Sequence, residues 1–285
     1  MPWKTARRTL DLSRPLVMGI LNVTPDSFSD GGEFVALDDA LRRAEQMIED
    51  GVDIIDIGGE STRPGSGRVD ADTELKRTLP VVSAITKRFE TPVSIDTTKP
   101  LVAQAAIDNG AEIVNDISGL RWEVGLADVA ARASAGLILM HSRGSFETMH
   151  SEPPVGNIFV EAKSDLTESI SAAKQQGVSE EQIVLDPGIG FGKTFEQSLE
   201  LLANLDRLVD EFAAYPMLVG ASRKSFIGKI LGDSRPSQRL GGSLAAAMAA
   251  VRRGAKIVRV HDVRETVAAL GVFTAIENGG NHDES

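Results

Sequence analysis

The chain has 285 residues, 42% of them hydrophobic, enough for one large core, and it fits a single α/β domain over 1–285 with its core at about 15–277. A net charge of −11 argues against a nucleic-acid partner, which needs a basic face to neutralise phosphates, but leaves room for a local basic pocket that takes a small anion. The absence of cysteine excludes disulfides, thiolate nucleophiles and Cys-ligated metals; no run approaches a membrane span and MPWKTARRTL carries no apolar signal segment, so the expected setting is the cytoplasm, with no membrane partner.

Short, β-branched apolar runs alternate with longer helical patterns along the chain. Strands are predicted near 16–22 (LVMGILN), 52–57 (VDIIDI), 93–96 (VSID) and 112–116 (EIVND). Four more follow near 137–140 (LILM), 183–186 (IVLD), 217–221 (MLVGA) and 256–260 (KIVRV). Such runs, apolar until their ends, are what a parallel sheet covered on both faces requires. Between them, Leu37, Leu41, Ala44, Met47 and Ile48 share one helical face, as do Leu75, Leu79, Val82 and Phe89. Gly51, Gly110 and Gly136 each close a helical pattern just ahead of a strand. Eight βα units predict a (β/α)8 TIM barrel, with an open doubly wound sheet as the competing arrangement. The terminal ENGGNHDES is expected to fray.

Every predicted strand ends in polar groups: Asn22; Asp56 with GGESTR; Asp96; Asn115 with Asp116; His141; Asp186; Ser222 to Lys224; Arg259 with His261. In a barrel these ends form the C-terminal mouth, where such folds build their sites. Asp96, Asn115 and Asp186 supply acceptors and one amide, which suits the edge of an aminopyrimidinone. Arg63, Lys224, Arg259 and His261 supply cationic donors, which suits an anion. A planar heterocycle carrying a phosphate satisfies both sets. No Ser-His-Asp order is evident, so direct displacement between two bound substrates is favoured over covalent catalysis.

Two loops carry further signals. Asp186 to Thr194 (DPGIGFGKT) resembles a phosphate loop, but Pro187 stands where the first Walker glycine should be; its glycines are expected to bring backbone up to a flat ligand, with Phe191 as an aromatic face. The segment 24–32 (TPDSFSDGG) is rich in turn formers and is expected to be a mobile surface loop bearing Phe28 and carboxylates. No two of His141, His150, His261 and His282 have helical metal-ligand spacing, so a His-rich zinc site is not expected.

MGILNVTPDSFSDGG (18–32), DIGGESTRPG (56–65), SIDT (94–97), NDISG (115–119), LDPGIGFGKT (185–194), GASRKSFIG (220–228) and RVHDV (259–263) resemble, in order and spacing, the signature segments of the bacterial dihydropteroate synthases. The resemblance covers nearly the whole chain. It implies an enzyme of folate biosynthesis that joins 6-hydroxymethyl-7,8-dihydropterin diphosphate to p-aminobenzoate, by an SN1-like loss of pyrophosphate assisted by Mg²⁺. It implies that Asn22 is the protein's Mg²⁺ ligand. Asp96, Asn115, Asp186 and Lys224 would hold the pterin with Met140 as an apolar wall, and Arg259 and His261 would meet the diphosphate. Thr62 and Arg63 would lie near the reaction centre. Phe28, Pro64, Phe191 and Ser225 would line the p-aminobenzoate pocket, with Ser222 close by, and Asp30 would face the reacting methylene. The catalytic set is then Asp30, Asp96, Lys224 and Arg63, and a homodimer is implied. After the fifth strand the family reads roughly LMHMQG, where this chain has Leu139-Met140-His141-Ser142-Arg143-Gly144, so the shape of that loop is left open. Two alternatives share part of the pattern: a methyltetrahydrofolate-dependent methyltransferase, which has no use for the Asn22 loop or the Arg259–His261 anion site, and a pterin-binding paralogue without catalysis.

Overall fold

A computed structural model describes residues 2–24, 33–63 and 65–279. The chain opens on an antiparallel hairpin, β1 (Pro2–Lys4) and β2 (Thr9–Asp11). Eight parallel strands follow: β3 (Leu16–Asn22), β4 (Ile54–Gly58), β5 (Val93–Asp96), β6 (Ile113–Asp116), β7 (Gly136–Met140), β8 (Ile183–Asp186), β9 (Leu218–Val219) and β10 (Ile257–Val260). They pair in the order β8-β7-β6-β5-β4-β3-β10-β9. A parallel bridge between Leu185 and Met217, with the Leu185 N–H donating to Pro216 O at 3.0 Å, joins β8 to the start of β9 and closes the sheet on itself. The fold is therefore the TIM barrel that the strand pattern predicts, not the open sheet.

Helices fill the crossovers: α1 (Glu33–Glu49), α2 (Ala71–Arg88), α3 (Pro100–Asp108), α4 (Gly125–Ala133), α5 (Ile158–Gln175), α6 (Phe195–Ala203), α7 (Leu205–Glu211), α8 (Ser225–Ile230), α9 (Leu240–Arg252) and α10 (Val263–Glu277). Successive strand side chains point to opposite faces, so each strand feeds two cores. Val17, Leu21, Ile55, Ile57, Val114, Leu137 and Leu139 face outward into the layer packed by the helices. Leu16, Met18, Ile54, Ile113, Ile138, Val184, Leu218 and Ile257 form a separate cluster inside the barrel. Burial on both faces is the physical reason the strands read as unbroken apolar runs.

The patterning predicts no element ahead of residue 16, yet the hairpin is part of the core. Trp3 is fully buried within the inner cluster, and its Nε1 donates to Gln182 O at 2.9 Å. Its indole lies so close to β7 that a Cβ on Gly136 would sit 3.0 Å from the ring. The hairpin thus closes the N-terminal end of the barrel and leaves the opposite end for chemistry. No helix among the described residues is long and apolar enough to cross a membrane.

Candidate active site

The barrel interior changes character in one two-residue step. Ile54, Ile113, Ile138, Val184 and Ile257 of the inner cluster are followed on the same strand faces by Asp56, Asn115, Met140, Asp186 and Arg259. A further step brings Asp96, Asn22 and His261 to the rim. An apolar floor under a ring of ionisable groups suits a ligand whose buried part carries hydrogen-bonding edges.

Arg259 organises the ring. Its Nε donates to Asp56 Oδ2 at 2.6 Å and its Nη2 to Asp96 Oδ2 at 2.7 Å. Asn115 Nδ2 donates to the same Asp56 oxygen at 3.1 Å. Burial disfavours the charge on Arg259, but Asp56 and Asp96 outweigh it and hold the guanidinium above its ordinary range. Burial likewise pushes the Asp96 carboxyl up, with Arg259 opposing. Asp56 was not singled out as a site residue by the sequence, although its inward position beneath GGES marks it. It is fully buried, and its Oδ1, like Ser94 Oγ on the neighbouring strand, has no hydrogen-bond partner among the described residues.

Asp186 and Lys224 occupy the β8–α8 side. Asp186 Oδ1 accepts from the Gly188 N–H at 2.7 Å, and burial pushes this carboxyl up to about 6, against Lys224, Lys193 and Arg259. Burial pulls the Lys224 ammonium down to about 8, with Arg259 adding to the effect and Asp186 and Asp96 opposing it. Lys224 Nζ stands 3.7 Å from the centroid of the Phe191 ring, a cation–π contact. The glycines between them are required by chain packing. Gly188 (φ +64°) passes so close to β7 that a Cβ would fall on the His141 carbonyl, and Gly190 (φ +83°) lies against the Lys224 stem. The approach predicted toward a flat ligand is thus used first to seat the loop on its neighbours.

On the other side, Ser222 Oγ lies 3.1 Å from His261 Nδ1 and accepts from the His261 N–H at 3.3 Å. Burial, then Arg223 and Arg259, push His261 down to about 3, so its ring is neutral in the free site rather than a cation. Asn22 sits at the rim beside Gly58, where a Cβ would lie in van der Waals contact, 3.5 Å from Asn22 Oδ1 and 3.6 Å from Asp96 Oδ2. Thr62 and Arg63 lie on the segment after β4. Thr62 O accepts from His150 Nε2 at 2.7 Å, while the Arg63 side chain is exposed. Ser225 is exposed at the first position of α8. Phe28, Asp30 and Pro64 lie outside the described residues. Among the described residues no cluster of three or more His, Asp or Glu could hold a metal on protein ligands alone.

Two strand-end groups do not join the ring. Asp116 points outward, where it accepts from Ser118 N and Leu120 N at 2.8 and 2.6 Å and from Ser118 Oγ at 2.7 Å, so it caps a turn. His141 is buried beneath the loop, 3.4 Å from Asp165 Oδ2 on α5, and burial pushes its imidazole down to about 4. Both err by one step of the strand period, which reverses the face. Lys193, which the sequence did not single out, lies half-buried behind the ring; its ammonium is pulled down to about 7, chiefly by burial and against Asp186.

Residues 18–261 match the family model described as pterin binding enzyme. Dihydropteroate synthase of Escherichia coli is 49% identical over 269 residues, 94% of this chain and 93% of the relative. The chain belongs to the dihydropteroate synthase family. Solved members share its fold. The Xanthomonas albilineans dihydropteroate synthase with 4-aminobenzoic acid superposes with a TM-score of 0.90 at 41% identity, covering 97% of this chain and 99% of that one. The Burkholderia cenocepacia dihydropteroate synthase complexed with 7,8-dihydropteroate superposes at 0.87 with 44% identity, covering 98% and 97%.

Proposed function

We propose that this chain, a transferase by its family, condenses 6-hydroxymethyl-7,8-dihydropterin diphosphate with p-aminobenzoate to give 7,8-dihydropteroate and pyrophosphate, in the cytoplasm and as a homodimer. The observation that carries this reading is the confluence of Asp186, Asn115 and Lys224 with Arg259 in one buried ring, since a fused aminopyrimidinone bearing an anion needs both sets in one place. Asp186 accepts from the 2-amino and N3–H groups of the pterin, and Lys224 donates to O4 and N5. Met140 covers the ring. Arg259 keeps Nη1 free of partners among the described residues, so it can meet the diphosphate without releasing Asp56 or Asp96. His261 joins it as a neutral donor, or as a cation once the diphosphate raises its pKa.

In the reaction the methylene C–O bond breaks with its electron pair leaving on pyrophosphate. The dihydropterin spreads the positive charge, which Asp96 and Asp30 stabilise. The aromatic amine then forms the C–N bond and loses a proton. A bound Mg²⁺ supplies charge neutralisation at the leaving diphosphate. Asn22 fits that ion because Mg²⁺ is commonly held by one or two protein oxygens together with substrate phosphates, and Asn22 stands half-buried at the rim. Phe191, Ser222 and Ser225, with Phe28 and Pro64, form the p-aminobenzoate half-site, and Thr62 and Arg63 complete it. The test is pyrophosphate release with both substrates. Release that does not depend on p-aminobenzoate, or no release at all, rejects the reading. Sedimentation decides the dimer.

A further inference from the structure

The loop that carries Phe191 is held by one buried and one half-buried cation for which the proposed chemistry has no use. Arg143, from the segment after β7, is 7% exposed. Its Nη1 donates to Gly192 O at 3.0 Å and to Pro153 O at 2.7 Å, while its Nε donates to Glu161 Oε1 on α5 at 3.0 Å. Lys193 Nζ donates to Phe191 O and to His141 O, each at 3.0 Å. Two consecutive carbonyls, those of residues 191 and 192, are therefore each gripped by a different cation. One cation is anchored to α5 and the other to the end of β7. Packing agrees with the hydrogen bonds, because a Cβ on Gly192 would sit 2.5 Å from Arg143 Cβ. The ring between these anchors lies under the Lys224 ammonium at 3.7 Å and beside the His150 ring at 6.5 Å.

We propose that Arg143 and Lys193 are positioning residues that clamp the β8 loop and so fix Phe191 as a wall of the p-aminobenzoate half-site. The proposal rests on the substrate assignment above. Arg143 carries its charge throughout and so makes the stronger hydrogen bonds, while the Lys193 amine donates in either protonation state; together they hold carbonyls that a loop without its own apolar core would leave free to move. The planar guanidinium of Arg143 reaches Gly192, Pro153 and Glu161 at once, a span that a lysine ammonium cannot reproduce. The clamp lies on the p-aminobenzoate side of Lys224. Asp186 stands on β8 itself, ahead of the clamped carbonyls, so loosening the clamp separates the two substrates.

The experiment compares Arg143→Lys, Arg143→Met and Lys193→Met with the wild type in three measurements. These are KM for each substrate, calorimetric binding of p-aminobenzoate in pyrophosphate and Mg²⁺, and calorimetric binding of a pterin analogue, with a thermal melt beside each. A misplaced wall should raise KM and Kd for p-aminobenzoate roughly five- to tenfold while leaving pterin affinity within about twofold in the Arg143 variants; Lys193→Met, which also removes a cation facing Asp186, is compared at about pH 7.5, where that carboxyl is ionised. Arg143→Lys should fall between wild type and Arg143→Met. A merely structural role lowers the melt and weakens both ligands in parallel, which overturns the proposal, as does unchanged p-aminobenzoate affinity in all variants. Should Arg143→Met not fold, Glu161→Gln keeps the guanidinium but weakens its anchor and must show the same split in smaller degree; its absence overturns the clamp. If the variants show this split in calorimetric binding but the wild type releases no pyrophosphate, the assigned reaction falls and the clamp stands. A wild type that binds no p-aminobenzoate defeats both.

Discussion

Asp186 and Lys224 are held in opposite tension by the same burial. The carboxyl is pushed up to about 6 and the ammonium down to about 8. A pterin that donates to one and accepts from the other needs both charged, so its affinity should be greatest between about pH 6 and 8. It should fall below that window as Asp186 takes up a proton and above it as Lys224 loses one. Calorimetry from pH 5 to 9 checks this, and a flat profile contradicts it. Removing either partner, by Asp186→Asn or Lys224→Ala, should cost about 2–5 kcal/mol in pterin binding. Stability should move the other way. A carboxyl with its folded pKa raised contributes stability that is present below its ordinary value of 3.8 and is lost as pH rises through about 6. At pH 7 the ionised Asp186 thus costs up to about 3 kcal/mol, and Asp186→Asn should melt no lower than the wild type. At the rim, Asn22→Ala should raise the Mg²⁺ concentration needed for half-maximal rate several-fold, roughly what losing one oxygen ligand costs. Full turnover in excess chelator would sink the metal assignment. The sequence put these residues at strand ends, where the structure has them, because their strands change from aliphatic to ionisable in one step. It erred at Asp116 and His141, where a single residue of register decides whether a side chain enters the mouth or the helix layer, and it placed Asp56 at a strand end without giving it a role, because its partner Arg259 is 203 residues away.

The strands were legible because β3 to β8 and β10 are buried on both faces and so read as unbroken apolar runs, and α1 and α2 because one buried face leaves a helical period in the chain. The hairpin β1–β2 was not, because three-residue strands that bury little beyond Trp3 and, part-way, Leu10 leave no period to find. Yet Trp3 fills the closed end of the barrel against Gly136 and donates to Gln182 O. Trp3→Ala should therefore cost about 3–5 kcal/mol of stability. Because the cavity opens at the end opposite the ionisable ring, KM for both substrates measured well below the melt should stay within about twofold of wild type. A variant with an unchanged melt would mean that the hairpin lies on the barrel without plugging it. The loop after β7, whose shape the sequence left open, is fixed by Arg143, a residue whose three partners come from segments that no local pattern brings together.

Taken as one molecule, the barrel separates a stability end from a chemical end, and on the proposed chemistry the loops at the chemical end should decide the order of events. The segment after β4 is rigid at its base. Glu60 accepts from the Val69 N–H at 2.7 Å and pairs with Lys99 at 3.1 Å, Lys99 also pairs with buried Glu74 at 2.6 Å, and Arg77 donates to Gly59 O at 2.8 Å. Among the described residues its outer part is held mainly by bonds within itself, Ser61 Oγ to Ser66 Oγ at 2.8 Å, Ser66 N–H to Arg63 O at 3.0 Å and Arg63 N–H to Ser61 Oγ at 3.4 Å, with one bond from outside, His150 Nε2 to Thr62 O. Arg63 extends from that outer part, exposed and without an ion pair among the described residues. A diphosphate would give Arg63 an ion-pair partner beyond any among the described residues, and only such differential contacts can shift a loop toward a closed form. Closure would bring Thr62 and Arg63 over Phe191, completing the aromatic slot and shutting water out from the cationic intermediate. Pterin diphosphate should therefore bind first and p-aminobenzoate second. Titrated into the free protein, p-aminobenzoate should bind feebly, and its affinity should rise roughly tenfold or more in pyrophosphate and Mg²⁺, a coupling of about 1.4 kcal/mol. Arg63→Ala should abolish most of that rise while leaving the pterin site intact. Equal affinity with and without pyrophosphate would mean that the slot is preformed and that either substrate can enter first.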